Sequence, residues 1–263
     1  MRTLVLTGYG INCERETAYA FELAGAKADM VHLNDLIAAP DQLHRYQILA
    51  IPGGFSFGDD VASGRILANR LRYRLGDALQ RFIADEKLVF GICNGFQVLV
   101  KMGLLPWPRE EYVQDVTLTH NDSDRFEDRW VHLTVEPETV CVWTRGMTEF
   151  ELPVRHGEGK FMARDADTIA AMADAGQIVL RYGNGAGARA NGAYPANPNG
   201  SVEDIAGICD PSGRIFGLMP HPEAHVEGFQ HPRWTREGLA AEGAGLAIFR
   251  NAVMHAAAPA IAR

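Results

Sequence analysis

The sequence lacks any apolar run approaching the roughly 18 residues that a membrane-spanning helix requires. It also lacks a CxxC pair, its four cysteines (Cys13, Cys93, Cys141, Cys209) being scattered over 263 residues. That scatter excludes a small disulfide scaffold and fits a reducing cytosol, where a thiol is core filler or a nucleophile. Two glycosylation-type triplets, at Asn121 and Asn199, carry no meaning in that compartment. Basic residues are scarce as well: 25 Lys and Arg against 33 Asp and Glu leave a formal charge of −8. General binding to nucleic-acid phosphates needs the opposite balance. No G-x-x-x-x-G-K-[ST] loop occurs, so nucleotide binding of that type is not indicated. Met1-Arg2-Thr3-Leu4 enters a short apolar run that meets Gly8 and Gly10 too early for a signal peptide. With neither an internal repeat nor a linker, one domain over residues 1–263 is the simplest organisation. The expected setting is the cytoplasm, with no membrane and no nucleic acid as partner.

What is present is an ordinary globular composition, 47% hydrophobic and 22% charged, with a clear alternation of elements in the first hundred residues. Thr3–Thr7, Met30-Val31, Ile48–Ile51 and Leu88–Phe90 read as short buried strands. Between them, helical spacing covers residues 12–24, the stretch from Ser63 through Phe82, and Phe96–Met102. Short apolar strands alternating with helices predict an α/β fold with a mostly parallel sheet flanked by helices. Beyond Pro106 the texture becomes β-rich, with strands expected at Val113–Thr119, Trp130–Val135 and Val140–Trp143. Ile205–Cys209 and Ile215–Met219 flank a Pro-Ser-Gly turn and read as a hairpin. These are expected to add antiparallel strands. Gly183–Gly200 reads as a long loop, and Ala240–Ala258 as a closing helix.

Three constellations carry chemistry. Gly91-Ile92-Cys93-Asn94-Gly95 lies between a strand and a helix, a G-x-nucleophile-x-G elbow with cysteine as the nucleophile. A turn of that kind exposes the thiol at a helix N-terminus, where negative charge is favoured. Taken alone, Cys93 could equally be a packed core thiol; the strand–elbow–helix context favours the nucleophile. Met219-Pro220-His221-Pro222-Glu223 supplies a base and its orienting carboxylate, because residues two apart in extended chain project to one side. Pro52-Gly53-Gly54-Phe55 follows another strand, and its glycines allow a backbone N–H to face a developing oxyanion. Gly54 and Asn94 are the expected oxyanion pair. The rest are read as structural: Cys13, Cys141 and Cys209 lack any elbow, and the arginines at 65, 70, 72, 74 and 81 form a solvated helix face. Gly185-Ala186-Gly187-Ala188-Arg189-Ala190 fits a dinucleotide-binding pattern, but no helix follows, so it reads as loop. Zinc ligation by His221, Glu223, His225 and His231 is the weaker reading of those side chains, and no metal is expected.

The elbow Gly91-Ile92-Cys93-Asn94-Gly95-Phe96-Gln97, with Pro220-His221-Pro222-Glu223, resembles the class I glutamine amidotransferases, whose sheet is flavodoxin-like. Within them, Asn12-Cys13-Glu14, Pro52 to Asp59, His156-Gly157-Glu158-Gly159 and Asn197 to Ser201 resemble the glutaminase subunits of phosphoribosylformylglycinamidine synthases, in purine biosynthesis. The resemblance runs from residue 3 to about 223. It implies glutamine hydrolysis through a thioester on Cys93, with His221 and Glu223 completing a triad and Gln97 helping to bind glutamine. It also implies ammonia delivery to a synthetase subunit, a small bridging subunit between the two, and ATP and magnesium on that synthetase rather than on this chain. Rival readings are a glutaminase feeding another acceptor, a cysteine hydrolase of the related superfamily, and a silent regulatory subunit of the same fold.

Overall fold

The computed structural model describes residues 1–109 and 113–258. Its elements run β1 (Arg2–Thr7), α1 (Glu14–Leu23), β2 (Lys27–His32), α2 (Leu33–Ala38), β3 (Ile48–Ile51), α3 (Arg65–Ala84), β4 (Leu88–Ile92) and α4 (Asn94–Met102). The second half adds β5 (Val116–Thr119), β6 (Glu127–Val135), β7 (Glu149–His156), β8 (Lys160–Ala163), α5 (Ala166–Asp174) and β9 (Ile178–Gly183). It ends with β10 (Ile205–Cys209), β11 (Ile215–Leu218), α6 (Trp234–Glu237) and α7 (Leu246–Ala257). Nine strands form one sheet in the order β2-β1-β3-β4-β11-β10-β9-β6-β7, while β5 and β8 pair separately. The run from β2 to β11 is parallel, and the pairings from β11 to β7 are antiparallel. The α/β architecture with added antiparallel strands is thus as expected.

Why the parallel half is covered on both faces follows from the register. Phe216 pairs with Phe90 and Gly217 with Gly91, so large and minimal side chains alternate across β4 and β11. On one face Phe90 stacks on Trp143 at 4.5 Å and meets Phe249 of α7 edge-on at 5.8 Å. On the other, α4 sits so close that a Cβ at Gly217 would lie 2.2 Å from the Phe96 ring. β3, β4, β10 and β11 are buried along their whole length, which explains their continuous apolar runs.

Two expected elements differ. Val140–Trp143 is not a strand; Val142–Thr144 forms a 3-10 turn. Its apolar residues are buried because the turn drives Trp143 into the core, with the indole N–H donating to the Arg214 carbonyl at 3.1 Å. The closing helix begins at Leu246 rather than Ala240. Ahead of it, Gly243 and Gly245 pass so near the chain after β11 that Cβ atoms there would meet the His225 and Pro222 carbonyl oxygens at 2.3 and 2.1 Å. Residues 184–200 are a loop as expected, yet a tethered one. The buried Asp204 carboxylate accepts from the Asn191 and Gly192 amides at 2.7 and 2.8 Å and from the Asn197 side chain at 2.9 Å. Asn121 and Asn199 are buried and hydrogen-bonded within the fold. The α3 arginines are exposed, save Arg72, which is partly buried.

Candidate active site

The chain leaves β1, β3, β4 and β11 at the same edge of the sheet, their carboxyl ends, where open α/β sheets place ligands. Cys93 stands directly after β4 with φ 50° and ψ −104°, a left-handed backbone that a non-glycine residue adopts at a cost of about 1–3 kcal/mol. Its neighbours show why the elbow needs glycine. A Cβ at Gly91 would lie 2.6 Å from Leu99 Cδ1, and one at Gly95 1.8 Å from the Ile51 carbonyl oxygen. The Cys93 amide donates to the Leu218 carbonyl at 2.8 Å, fixing the elbow to β11. Its Sγ lies 3.7 Å from the Arg155 carbonyl at the end of β7.

His221 and Glu223 follow β11. The His221 amide donates to the Pro153 carbonyl at 2.8 Å, and Nδ1 stands 2.6 Å from Glu223 Oε1. His221 is extended, whereas Glu223 sits in a 3-10 turn over Pro222–Ala224, so the pair meets through a turn and not through two extended residues. Both side chains are about 2% exposed, and His221 Nε2 has no hydrogen-bond partner. Burial opposes charge on the imidazole, but the Glu223 carboxylate and the Cys93 sulfur more than offset it. The His221 pKa therefore stands well above the usual histidine value.

Gly53 is the floor on which these groups converge. A Cβ there would lie 2.9 Å from His221 Cε1, 3.4 Å from Cys13 Sγ and 3.5 Å from Cys93 Cβ. Gly54, at φ 148°, is held against the β1 exit, where a Cβ would meet the Gly10 carbonyl oxygen at 2.4 Å. The Asn94 amide is the first of α4, one of those that a helix leaves without an internal acceptor. The Asn94 side chain accepts from the Ser56 amide at 3.2 Å and donates to Gln97 Oε1 at 2.9 Å. Gln97 Nε2 in turn donates to the Glu158 carbonyl at 2.5 Å. Both polar ends of Gln97 are thus committed to protein groups.

A cavity of about 150 Å³ opens over Cys93, bounded by Asn12, Cys13, Gly54, Phe55, Phe126, Arg155 and His221. The expected Cys93, His221 and Gly54 are brought together there, while Gln97 does not border the cavity. Cys13, read from the sequence as structural, also borders this cavity. It is half-buried at the start of α1, its backbone anchored on the Gly53 carbonyl, with Sγ beside His221. The signal for it was position: Cys13 follows β1 as Cys93 follows β4, at the same edge of the sheet. His156 was also missed as a chemical group. It is buried behind the site, 3.1 Å from Asn121 Oδ1, and burial followed by repulsion from His221 lowers its pKa to about 3.

Comparison with known proteins agrees with this geometry. A profile of CobB/CobQ-like glutamine amidotransferase domains matches residues 1–256. The phosphoribosylformylglycinamidine synthase subunit PurQ of Dehalococcoides mccartyi is 52% identical over 253 residues, covering 96% of each chain. Its namesake from Methanococcus maripaludis strain S2 is 46% identical over 263 residues, again covering 96% of each. In the structure of PurLQS from Thermotoga maritima, a chain 30% identical to this one superposes with a TM-score of 0.71, over 97% of this chain and 98% of that one. The chain belongs to the CobB/CobQ-like glutamine amidotransferase domain family.

Proposed function

We propose that this chain is the glutaminase subunit of phosphoribosylformylglycinamidine synthase, hydrolysing glutamine and passing ammonia to a synthetase partner. The observation that carries the reading is Cys93, held in a left-handed elbow at the mouth of a cavity beside the buried His221–Glu223 pair. Identity to PurQ chains along nearly the full length supports the acceptor pathway.

In this mechanism the Cys93 sulfur, its proton passed to His221, attacks the side-chain amide carbon of glutamine. The carbonyl oxygen takes up negative charge, and the Gly54 and Asn94 amides face it. Such donors are worth about 2.7–4 kcal/mol each. Collapse breaks the carbon–nitrogen bond as His221 gives its proton to the departing ammonia, leaving a glutamyl thioester. Water, deprotonated by His221, then releases glutamate and restores the thiol. Glu223 holds the imidazole in one tautomer and stabilises its charged form. Gln97 acts by fixing Asn94 and the Glu158 carbonyl around the site.

ATP and magnesium belong to the synthetase, and a small bridging subunit joins the two; the PurLQS structure supports the assembly of the subunits and bears on neither ATP nor magnesium. The chain works as one domain in the cytoplasm. Among the described residues no helix is long and apolar enough to cross a membrane. The test uses the assembled complex. Cys93→Ala should abolish synthesis from glutamine and spare synthesis from added ammonia. Equal loss of both would assign Cys93 a structural role, and loss of neither would overturn the reading.

A further inference from the structure

The glutaminase mechanism uses one thiol, yet two face His221. Among the described residues, donor atoms of Cys13, His221 and Glu223 all lie within 4.8 Å of one another. Cys93 joins them over Gly53, and Cys13, Cys93 and His221 all border the cavity above it. His221 Nδ1 is already taken by Glu223, so the nitrogen left to face that space is Nε2, fully buried and without a partner.

Two sulfurs and one imidazole nitrogen whose other side is held by a carboxylate form a donor set suited to a borderline-soft divalent cation. The carboxylate behind the histidine is the usual outer partner in such sites, fixing the tautomer and raising the basicity of the ligating nitrogen. Donors on one tetrahedral zinc stand about 3.5 Å apart, given bonds of about 2.0–2.3 Å. The geometry points to a Zn²⁺-binding site formed by Cys13 Sγ, Cys93 Sγ and His221 Nε2, with a fourth position open to the cavity.

Binding releases the proton of each thiol that carries one, so affinity falls with falling pH. At present Cys13 Sγ donates to Asn12 Oδ1 at 3.3 Å, and that contact must be given up. Arg155, the cation bordering the cavity, sends its guanidinium towards Asp128 at 4.0 Å. An ion held there occupies the nucleophile and its base together. Zinc is therefore a reversible inhibitor that competes for the free thiol, a property distinct from glutamine hydrolysis.

The test reads metal binding directly. The anaerobic wild-type chain is titrated with Co²⁺ and then with Zn²⁺, following sulfur-to-cobalt charge-transfer absorption in the near ultraviolet. Stoichiometric binding with that band, bleached by one equivalent of Zn²⁺, is expected. Cys13→Ala and Cys13→Ser should each lower the band by about half and weaken Zn²⁺ binding at least about tenfold. In the same variants, the Zn²⁺ concentration that protects Cys93 from alkylation should rise by a similar factor. Circular dichroism checks that both variants fold. Absence of the band in wild type, or unchanged Zn²⁺ affinity in both folded Cys13 variants, overturns the site. Neither readout needs glutamine turnover, so failure here leaves the glutaminase reading standing.

Discussion

The Asn94 side-chain oxygen accepts from the Ser56 amide at 3.2 Å, tying the nucleophile elbow to the Pro-Gly-Gly loop that carries Gly54. The two proposed oxyanion donors therefore sit on segments fixed to each other by a buried side chain, not merely on neighbouring loops. Asn94→Ala keeps its own backbone amide and removes that tie together with the side chain's bonds to Asp59 and Gln97. The expected result is a fall of about tenfold in glutaminase kcat, with KM moving less, because transition-state contacts suffer more than ground-state binding. The lost hydrogen bonds should also cost about 1–3 kcal/mol of stability. Steady-state glutamate release checks the first figure and urea unfolding the second. A kcat within twofold of wild type would show that the tie does not set donor geometry.

The elbow depends as firmly on Gly95. A Cβ there would meet the Ile51 carbonyl oxygen at 1.8 Å, and that atom belongs to a central strand that cannot swing aside. Gly95→Ala should therefore destabilise the chain by about 3 kcal/mol or more, at the upper end of overpacking effects. Thermal or urea unfolding measures this. A loss below about 1 kcal/mol would mean that α4 can lift away from β3.

Acid should act through His156. Its folded pKa of about 3 lies below the unfolded value of about 6.5, so the unfolded chain binds more protons between those values. Stability contributed by keeping His156 neutral is complete above pH 6.5 and is lost as pH falls through that window. At pH 5 the loss should be about 2 kcal/mol. His221 works in the other direction. Its folded pKa is raised, so its contribution is complete below the unfolded value and is lost only as pH rises through the folded one. The two windows do not overlap, and unfolding of His156→Gln at pH 7 and pH 5 should show the acid loss shrink by about 2 kcal/mol. An unchanged difference would place the acid sensitivity elsewhere.

Much of this was legible in the chain, and the exceptions share physical causes. Strands buried on both faces announce themselves as apolar runs, which is how β3, β4, β10 and β11 could be read. β7 could not be read that way: Glu149, Glu151 and Arg155 alternate with its apolar residues, so no continuous run appears, and Pro153 argues against a strand. Trp143 looked like strand because its burial comes from a turn, and burial alone does not distinguish the two. Cys93, His221 and Glu223 stood out because glycine and proline spell out the backbone each requires. Cys13 carries no such flanking pattern. It meets His221 only because β1 and β11 are both parallel members of one sheet and end at the same edge, a relation that local spacing does not encode.

The last prediction concerns control by the partner. Phe55 and Phe126 border the cavity, are 48% and 53% exposed, and hold their rings 6.3 Å apart. Apolar rings left in water at the mouth of a reactive site gain by being covered, by about 25 cal/mol for each Å² buried. Phe55 directly follows Gly54, and both line the same cavity as Phe126, so a protein seated on the rings bears on the segment that presents the Gly54 amide. Coupling requires only that the synthetase bind more tightly when that amide points at the oxyanion site. A tenfold to hundredfold activation corresponds to about 1.4–2.7 kcal/mol of differential docking energy, within reach of two covered rings. Glutamate release should therefore be slow for the free chain and faster by that factor with the synthetase, its nucleotide and its acceptor present. Phe55→Ala and Phe126→Ala together should compress the ratio of coupled to free turnover towards one, each rate being measured on the same variant. Equal turnover of the wild-type chain with and without the synthetase would sink the coupling and leave a glutaminase that needs no partner to act.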